Sequence, residues 1–324
     1  MAKMSGVVFC GAIDGRGGIG DVGPDMDQAW RTSAETVWIH LDTSDPTTRG
    51  WLDEESGLSQ LTVEMLLSDD TRPRVTIADK GLVICLRAVN CNPGADPDDM
   101  VSLRLWITGK RILTMRRRRV EAVNDIREAL NDGDGPTDSA TFLDVLCERV
   151  TFRIAEITGE IDDGVDGLED EVLERERREL RAEVQKYRRM IIGLRRYLIP
   201  QRESLLRLVT DRVGWIGEIS QLRLRESAER IARCVDDLDA VRDRAAVIQE
   251  ELNARLSEAT NRTIYTMSIV ATIFLPLGLL TGLLGINVGG IPGVESRWAF
   301  AIVCGVLVFL AGLVFVLFKR RQII

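Results

Sequence analysis

Between Arg262 and Glu295, and again between Arg297 and Lys319, the chain carries no charged residue. Each run exceeds the roughly 20 apolar residues that span about 30 Å of hydrocarbon. A backbone in hydrocarbon must satisfy its own amides, which restricts it to helices or closed barrels. Two such runs joined by a short loop predict a transmembrane hairpin. Its first span is 263–286, its outer loop 287–297, its second span 298–318, and a basic cytoplasmic tail 319–324 ends the chain. A mean hydropathy near zero hides this split, because nearly all the charge lies before Arg262.

The start, "MAKMSGVVFCGAID", has no basic n-region, apolar h-region or cleavage site, so the large leading part is expected in the cytoplasm. A hairpin returns the chain to the side it left. Both termini are therefore expected to be cytoplasmic, with the protein multi-pass. Lys319, Arg320 and Arg321 after the second span, with Arg255 and Arg262 before the first, agree with the positive-inside rule.

Several function classes are disfavoured. The six cysteines are scattered without a C-x-x-C pair, and His40 is the single histidine. That argues against a disulfide frame, a zinc site of the usual nitrogen and sulfur type, and a catalytic triad. No catalytic residues, and hence no enzyme, are expected, and no cofactor. A net charge of −8 without a basic patch interleaved with aromatics makes nucleic acid an unsuitable partner. "GRGGIG", with Gly15, Gly17 and Gly20, fits G-x-G-x-x-G, but Gly23 and Pro24 stand where the dinucleotide fingerprint needs a helix. It reads as a loop.

Residues 1–135 alternate β-like runs ("GVVFCGAID", "TVWIHLD", "RPRVTI", "LVICLRAVN", "VSLRLWI", "RILTMRRR") with helical stretches at "SGLSQLTVEMLLS" and "VEAVNDIREAL". "ADKG" and "TGK" read as hairpin turns. The expected fold is an α+β cytoplasmic domain with a largely antiparallel sheet, followed by long α-helices. "NDGDGPTDSA" is a linker. Residues 136–200 then form long charged helices broken near Pro200, and 201–262 a stalk helix running unbroken into the first span. About 60 residues at 1.5 Å each make a rod near 90 Å. On it Ile231, Val235, Leu238, Val241, Ala245, Ile248, Leu252 and Leu256 step by three and four, a packing seam able to associate chains.

The stretch from Glu160 to Glu171 holds Glu160, Asp162, Asp163, Asp166, Glu169, Asp170 and Glu171. Such a run is either a solvated helical face or an antechamber concentrating cations. Asp236, Asp237, Asp239, Glu250, Glu251 and Glu258 allow the same two readings. In the first span Ile264, Ser268, Ala271, Leu275, Gly278, Gly282 and Gly285 recur at steps of three and four. That face either packs closely on another helix or lines a narrow pore. Pro276 should loosen the helix beside it. Two spans cannot enclose a pathway, so a pore needs several chains.

A long acidic helix entering the first of two terminal spans, with Gly285-Ile286-Asn287 at its outer end, resembles the CorA superfamily of divalent-cation transporters. Its signature there is Gly-Met-Asn. "GINVGGIPG" and "NPGADPDDMVSLRLWI" resemble most closely the zinc-transporter branch, ZntB. The resemblance covers essentially the whole chain and implies a funnel-shaped homopentamer in a lipid bilayer, with one central pore lined by the first spans. It implies that Asn287 of each chain joins a ring at the outer mouth and holds a divalent metal ion through its hydration shell. It places the pore-lining positions at Ile264, Met267, Leu275 and Gly278, and suggests zinc uptake coupled to protons. A passive Mg²⁺, Co²⁺ or Ni²⁺ channel and zinc efflux stay open. Leu284 replaces the aromatic that magnesium-transporting members usually have before the motif. Gly293 follows Pro292 where they have an acid, and Glu295 is the outer-mouth acid left. Glu250, Glu258 and Glu295 are the candidate coupling groups, since neither span holds a carboxylate, lysine or histidine.

Overall fold

The computed structural model describes residues 5–22, 26–96, 98–174, 180–211, 213–285 and 296–320. By contacts the chain divides into two units, Met1–Gln249 and Glu250–Ile324.

The first unit is built on a seven-stranded sheet. Its strands are β1 (Val7–Ile13), β2 (Ile19–Gly20), β3 (Thr36–Asp42), β4 (Arg74–Ala78), β5 (Gly81–Ala88), β6 (Val101–Ile107) and β7 (Arg111–Arg116). Their order is β2-β1-β3-β7-β6-β5-β4. The β3–β7 pair is parallel, with Val37 opposite Arg111, and the other pairs are antiparallel. The "ADKG" turn joins β4 to β5 with Asp79 and Lys80 both at positive φ, 49° and 58°, as a two-residue hairpin with the right-handed strand twist requires.

Alternation on β3 divides the core. Val37, Ile39 and Leu41 face a cluster with Trp30, Trp51, Leu52, Val63 and Leu66. Those residues come from α1 (Met26–Thr32), α2 (Pro46–Glu54) and α3 (Gln60–Leu67). Trp38 faces the other way, its ring 4.9 Å from that of Phe142. Phe142 lies on α5 (Ser139–Glu174), which comes after α4 (Glu121–Asp132). The sheet is thus covered on both faces. α1 and α2 were not legible as helices because α1 is 7 residues long and α2 is 9. Packing of Trp30 and Trp51, not helical periodicity, holds them.

Two polar details of this unit bear on function. In "GRGGIG" the backbone N–H groups of Arg16 and Gly18 both donate to Asp14 Oδ1, at 2.7 and 3.0 Å. The loop's own carboxylate takes the amides that a phosphate would need. His40 is buried, its Nδ1 2.8 Å from Thr114 Oγ1. Burial, then Arg116, push its pKa down to about 3, so it stays neutral at physiological pH.

The helix break expected near Pro200 is not there. α6 (Leu180–Thr210) runs through Pro200, and a turn at 213–217 precedes α7 (Glu218–Leu284). Residues 201–210 therefore belong to α6 and not to the stalk helix. The residue after the proline anchors the helix to the sheet. Gln201 is fully buried, its Oε1 accepting from Arg87 N at 2.7 Å and its Nε2 donating to Arg87 O at 3.1 Å. β4 pairs with β5 only as far as Cys85, so this amide substitutes for the strand that ends. Arg87 also stacks on the Tyr197 ring at 4.2 Å.

α7 is one helix of 67 residues. Its stripe Ile231, Val235, Leu238, Val241, Ala245 and Ile248 is buried inside the first unit. α5 and α6 supply the partners: Arg244 binds Asp162 and Asp166 of α5, and Asp239 forms an ion pair with Arg195 of α6 at 2.7 Å. The seam is therefore occupied within the chain up to Ile248. Leu252 is half-buried and Leu256 is 53% exposed. Association through the whole stripe is corrected accordingly, leaving only its end free.

Gln201→Leu should destabilise the first unit by about 2 kcal/mol, because it strands the N–H and C=O of Arg87 in a buried place. Denaturant unfolding of the full-length protein checks this. A loss below about 0.5 kcal/mol would show that water replaces the amide.

Candidate ion pathway

The second unit contains the end of α7 and α8 (Ala299–Arg320). α7 is long and apolar enough to cross a membrane, and its most apolar 18-residue window has none of its residues buried. α8 is a second apolar helix, 22 residues long, whose described apolar stretch, Ala299–Val314, is shorter. A helix that is apolar all round and uncovered needs lipid, other chains, or both around it.

Partial burial separates the faces of α7 here. Ile269, Ile273, Pro276, Leu277 and Leu280 are half-buried, and at 3.6 residues per turn they form one stripe. On α8 the matching half-buried stripe is Val303, Cys304, Leu307, Leu310, Ala311 and Val314. No other described element exists in this unit, so these stripes cover each other. The opposite face of α7 carries Ile264 at 58% exposure, Met267 at 64% and Leu275 at 73%, together with exposed Ser268, Ala271, Gly278 and Gly282. All four positions given by the resemblance as pore-lining lie on the face turned away from α8.

The glycines on that face have no use within the chain. A Cβ built on Gly278 or Gly282 meets nothing within 4 Å, and neither has a positive φ. Small size there admits another helix or a solvated ion beyond the single chain. The hydroxyls are turned inward to the helix backbone: Ser268 Oγ donates to Ile264 O, Thr272 Oγ1 to Ser268 O and Thr281 Oγ1 to Leu277 O, at 2.7–2.9 Å. Their protons are satisfied, while their oxygen lone pairs stay open as weak acceptors. Pro276 removes the donor for Thr272 O, a free carbonyl in the middle of the span.

α7 closes at Gly285, whose N–H is shared between Thr281 O and Gly282 O at 3.0 and 3.2 Å. Ile286, Asn287 and Glu295 lie outside the described residues.

The acidic candidates separate by environment. Asp162 and Asp166 are one helical turn apart on α5, and both are bound by Arg244. They are half-neutralised by that guanidinium, and their contribution to cation attraction is corrected downward. Glu160 and Asp163 are exposed on the same helix, and Glu250 and Glu258 on α7. Arg244 was missed in the sequence because nothing local marks it. The available signal was an i, i+4 acid pair that one forked guanidinium on a neighbouring helix can span. Asp239, one of the stalk acids with two readings, is held by Arg195 and by Arg242 at 3.1 Å, and those partners were not legible locally.

Known proteins of similar sequence and fold point the same way. A family model described as "CorA-like Mg2+ transporter protein" matches residues 33–320. A zinc transport protein ZntB from Pectobacterium carotovorum is 38% identical over 318 residues, covering 98% of this chain and 96% of that one. The solved structure of full-length CmaX superposes with a TM-score of 0.83 at 34% identity, over 99% of each chain. The CorA magnesium transporter of Methanocaldococcus jannaschii shares the fold, with a TM-score of 0.75 at 17% identity over 88% of this chain and 90% of that one.

The two faces of α7 predict a labelling pattern. Cysteines placed singly at Ile264, Met267, Leu275 and Gly278 in the full-length protein in membranes should react with a water-soluble thiol reagent, since only a hydrated thiolate reacts. Cysteines at Ile273 and Leu280 should not. Equal labelling on both faces would exclude a water-filled path along this side.

Proposed function

The chain belongs to the CorA family, a family of ion transporters and not of enzymes, and on that premise we propose that it moves divalent metal cations, zinc foremost, across a bacterial inner membrane. In this reading five copies surround one axis as a funnel. The exposed face of α7 with Ile264, Met267, Leu275 and Gly278 lines the pore, and α8 lies outside it. Both termini are cytoplasmic. The observation that carries the reading is that the small, unpartnered face of α7 is the one turned away from α8.

Selection takes place at the outer mouth. A ring of Asn287 amide oxygens holds a hydrated cation through its water shell, much as carbonyl rings select ions elsewhere. Zinc can be passed this way without histidine or thiolate ligands. Such ligands bind it tightly, and conduction requires that the ion also leave. Similarity to ZntB supports zinc as the cargo. Leu284 in place of the aromatic before the motif and Gly293 after Pro292 weigh against magnesium.

Uptake is coupled to protons in this reading, with Glu295, Glu258 and Glu250 as the groups at the mouths. One observation favours the second reading, a passive channel for Mg²⁺, Co²⁺ or Ni²⁺: runs 263–294 and 298–318 contain no carboxylate, lysine or histidine.

Purified protein in liposomes with an encapsulated zinc dye should admit zinc faster when a pH gradient is imposed in one direction. Asn287→Ala should abolish zinc entry while leaving the oligomer intact by size. Zinc entry indifferent to the gradient would favour the passive channel. Magnesium passing freely while zinc does not would overturn the zinc assignment.

A further inference from the structure

One buried carboxylate in the first unit has no part in the pathway. Asp144 of α5 is 1% exposed, and neither of its oxygens has a hydrogen-bond partner. It faces the first turn of α7: Ser220 presents its hydroxyl outside hydrogen-bond geometry, and Arg223 Nη1 stands 3.7 Å from Oδ1. Its other charged neighbours are Asp138, just before α5, and Glu148 on α5, both acidic, and Cys147 is buried beside it. Water is close at hand, because Glu148 and Arg223 line two clefts, of about 730 and 260 Å³, that open next to this contact.

We propose that Asp144 is a proton-binding site, and that protonating it tightens the contact between α5 and the start of α7.

Three effects compete at this carboxyl. Loss of hydration raises its pKa most, and Glu148 and Asp138 raise it further; the Ser220 hydroxyl and Arg223 lower it. Arg223 is 54% exposed, so solvent screens much of its pull. Burial prevails, and the pKa stands above the ordinary aspartate value. A raised folded-state pKa stabilises fully below the unfolded value and loses that contribution as pH rises through the folded one. Ionised Asp144 thus weakens the contact at neutral and alkaline pH, and a proton restores it. α7 is the same helix that carries the proposed pore face, so under the topology proposed above the site reads cytoplasmic pH.

The test uses full-length protein in detergent and reads thermal melting between pH 4 and pH 8, which requires neither zinc movement nor a known direction of transport. Asp144→Asn keeps the shape and removes the charge. It should melt higher than the wild type at pH 8, by about 2–4 °C, and the gap should close as pH falls. Arg223→Gln removes the cation that faces the site among the described residues, and in that background the closing should occur at higher pH. A variant that melts lower than the wild type at pH 8 would mean that the ion pair with Arg223 stabilises the fold. A gap constant across pH, or a closing pH unmoved by Arg223→Gln, would assign the titration to another group. Each of these outcomes overturns the proposal.

Discussion

Everything in the first unit that concerns α7 depends on how its apolar stripe is buried. Ile231, Val235, Leu238, Val241, Ala245 and Ile248 are each at most 4% exposed. A buried aliphatic side chain of this size contributes about 1.5–3 kcal/mol. The ion pairs beside the stripe, Arg244 with Asp162 and Asp166 and Arg195 with Asp239, are partly exposed, and pairs of that kind contribute about 0–1 kcal/mol. The seam therefore supplies the energy, and the pairs set the register. A guanidinium that spans two carboxylates one turn apart resists sliding of α7 along α5, whereas an apolar stripe alone tolerates a shift by a turn.

Exposure likewise decides what the acidic helix can do. Seven carboxylates in twelve residues looked like one electrostatic object. In the fold they serve different ends, because Asp162 and Asp166 sit on the side facing α7 and meet Arg244, while Glu160 and Asp163 stay in water. Exposed acids attract cations only over a Debye length, about 8 Å at physiological salt. Any attraction to ions must come from these solvated members.

How much of this was legible depends on which forces are local. The strands of the sheet announce themselves because β-branched runs and turn residues act within a few positions. "ADKG" formed the expected hairpin, although with Asp79 and Lys80 and not glycine at positive φ. Pro200 misled because its local cost was plain, whereas what anchors the helix there, Gln201 pairing with Arg87, lies 114 residues away in sequence. The stalk seam was read correctly as a seam but assigned to the wrong partner, since periodicity tells which face is apolar and not what covers it. The family was legible because it rests on order and spacing along nearly the whole chain. The face of the first span was legible as a pattern with two meanings, and the stripe on α8 gave the physical means of telling its two sides apart.

That stripe also explains why glycine and not alanine belongs at Gly278 and Gly282. Within the chain a methyl group there would touch nothing, and glycine inside a helix costs about 1 kcal/mol relative to alanine. Two such costs on one face, without a contact in the chain to offset them, point to a partner that the chain does not contain. On the α8 side the helix carries Ile269, Ile273, Leu277 and Leu280, bulky residues that fill space against a neighbour. On the other side, in the proposed pore, Met267 and Leu275 narrow the path and Gly278 and Gly282 leave room. A wall that only packed against lipid would need neither the constrictions nor the gaps. Alternation of the two along a single line is what a path for a hydrated ion requires: space enough to keep its water, and few enough ligands to let it go.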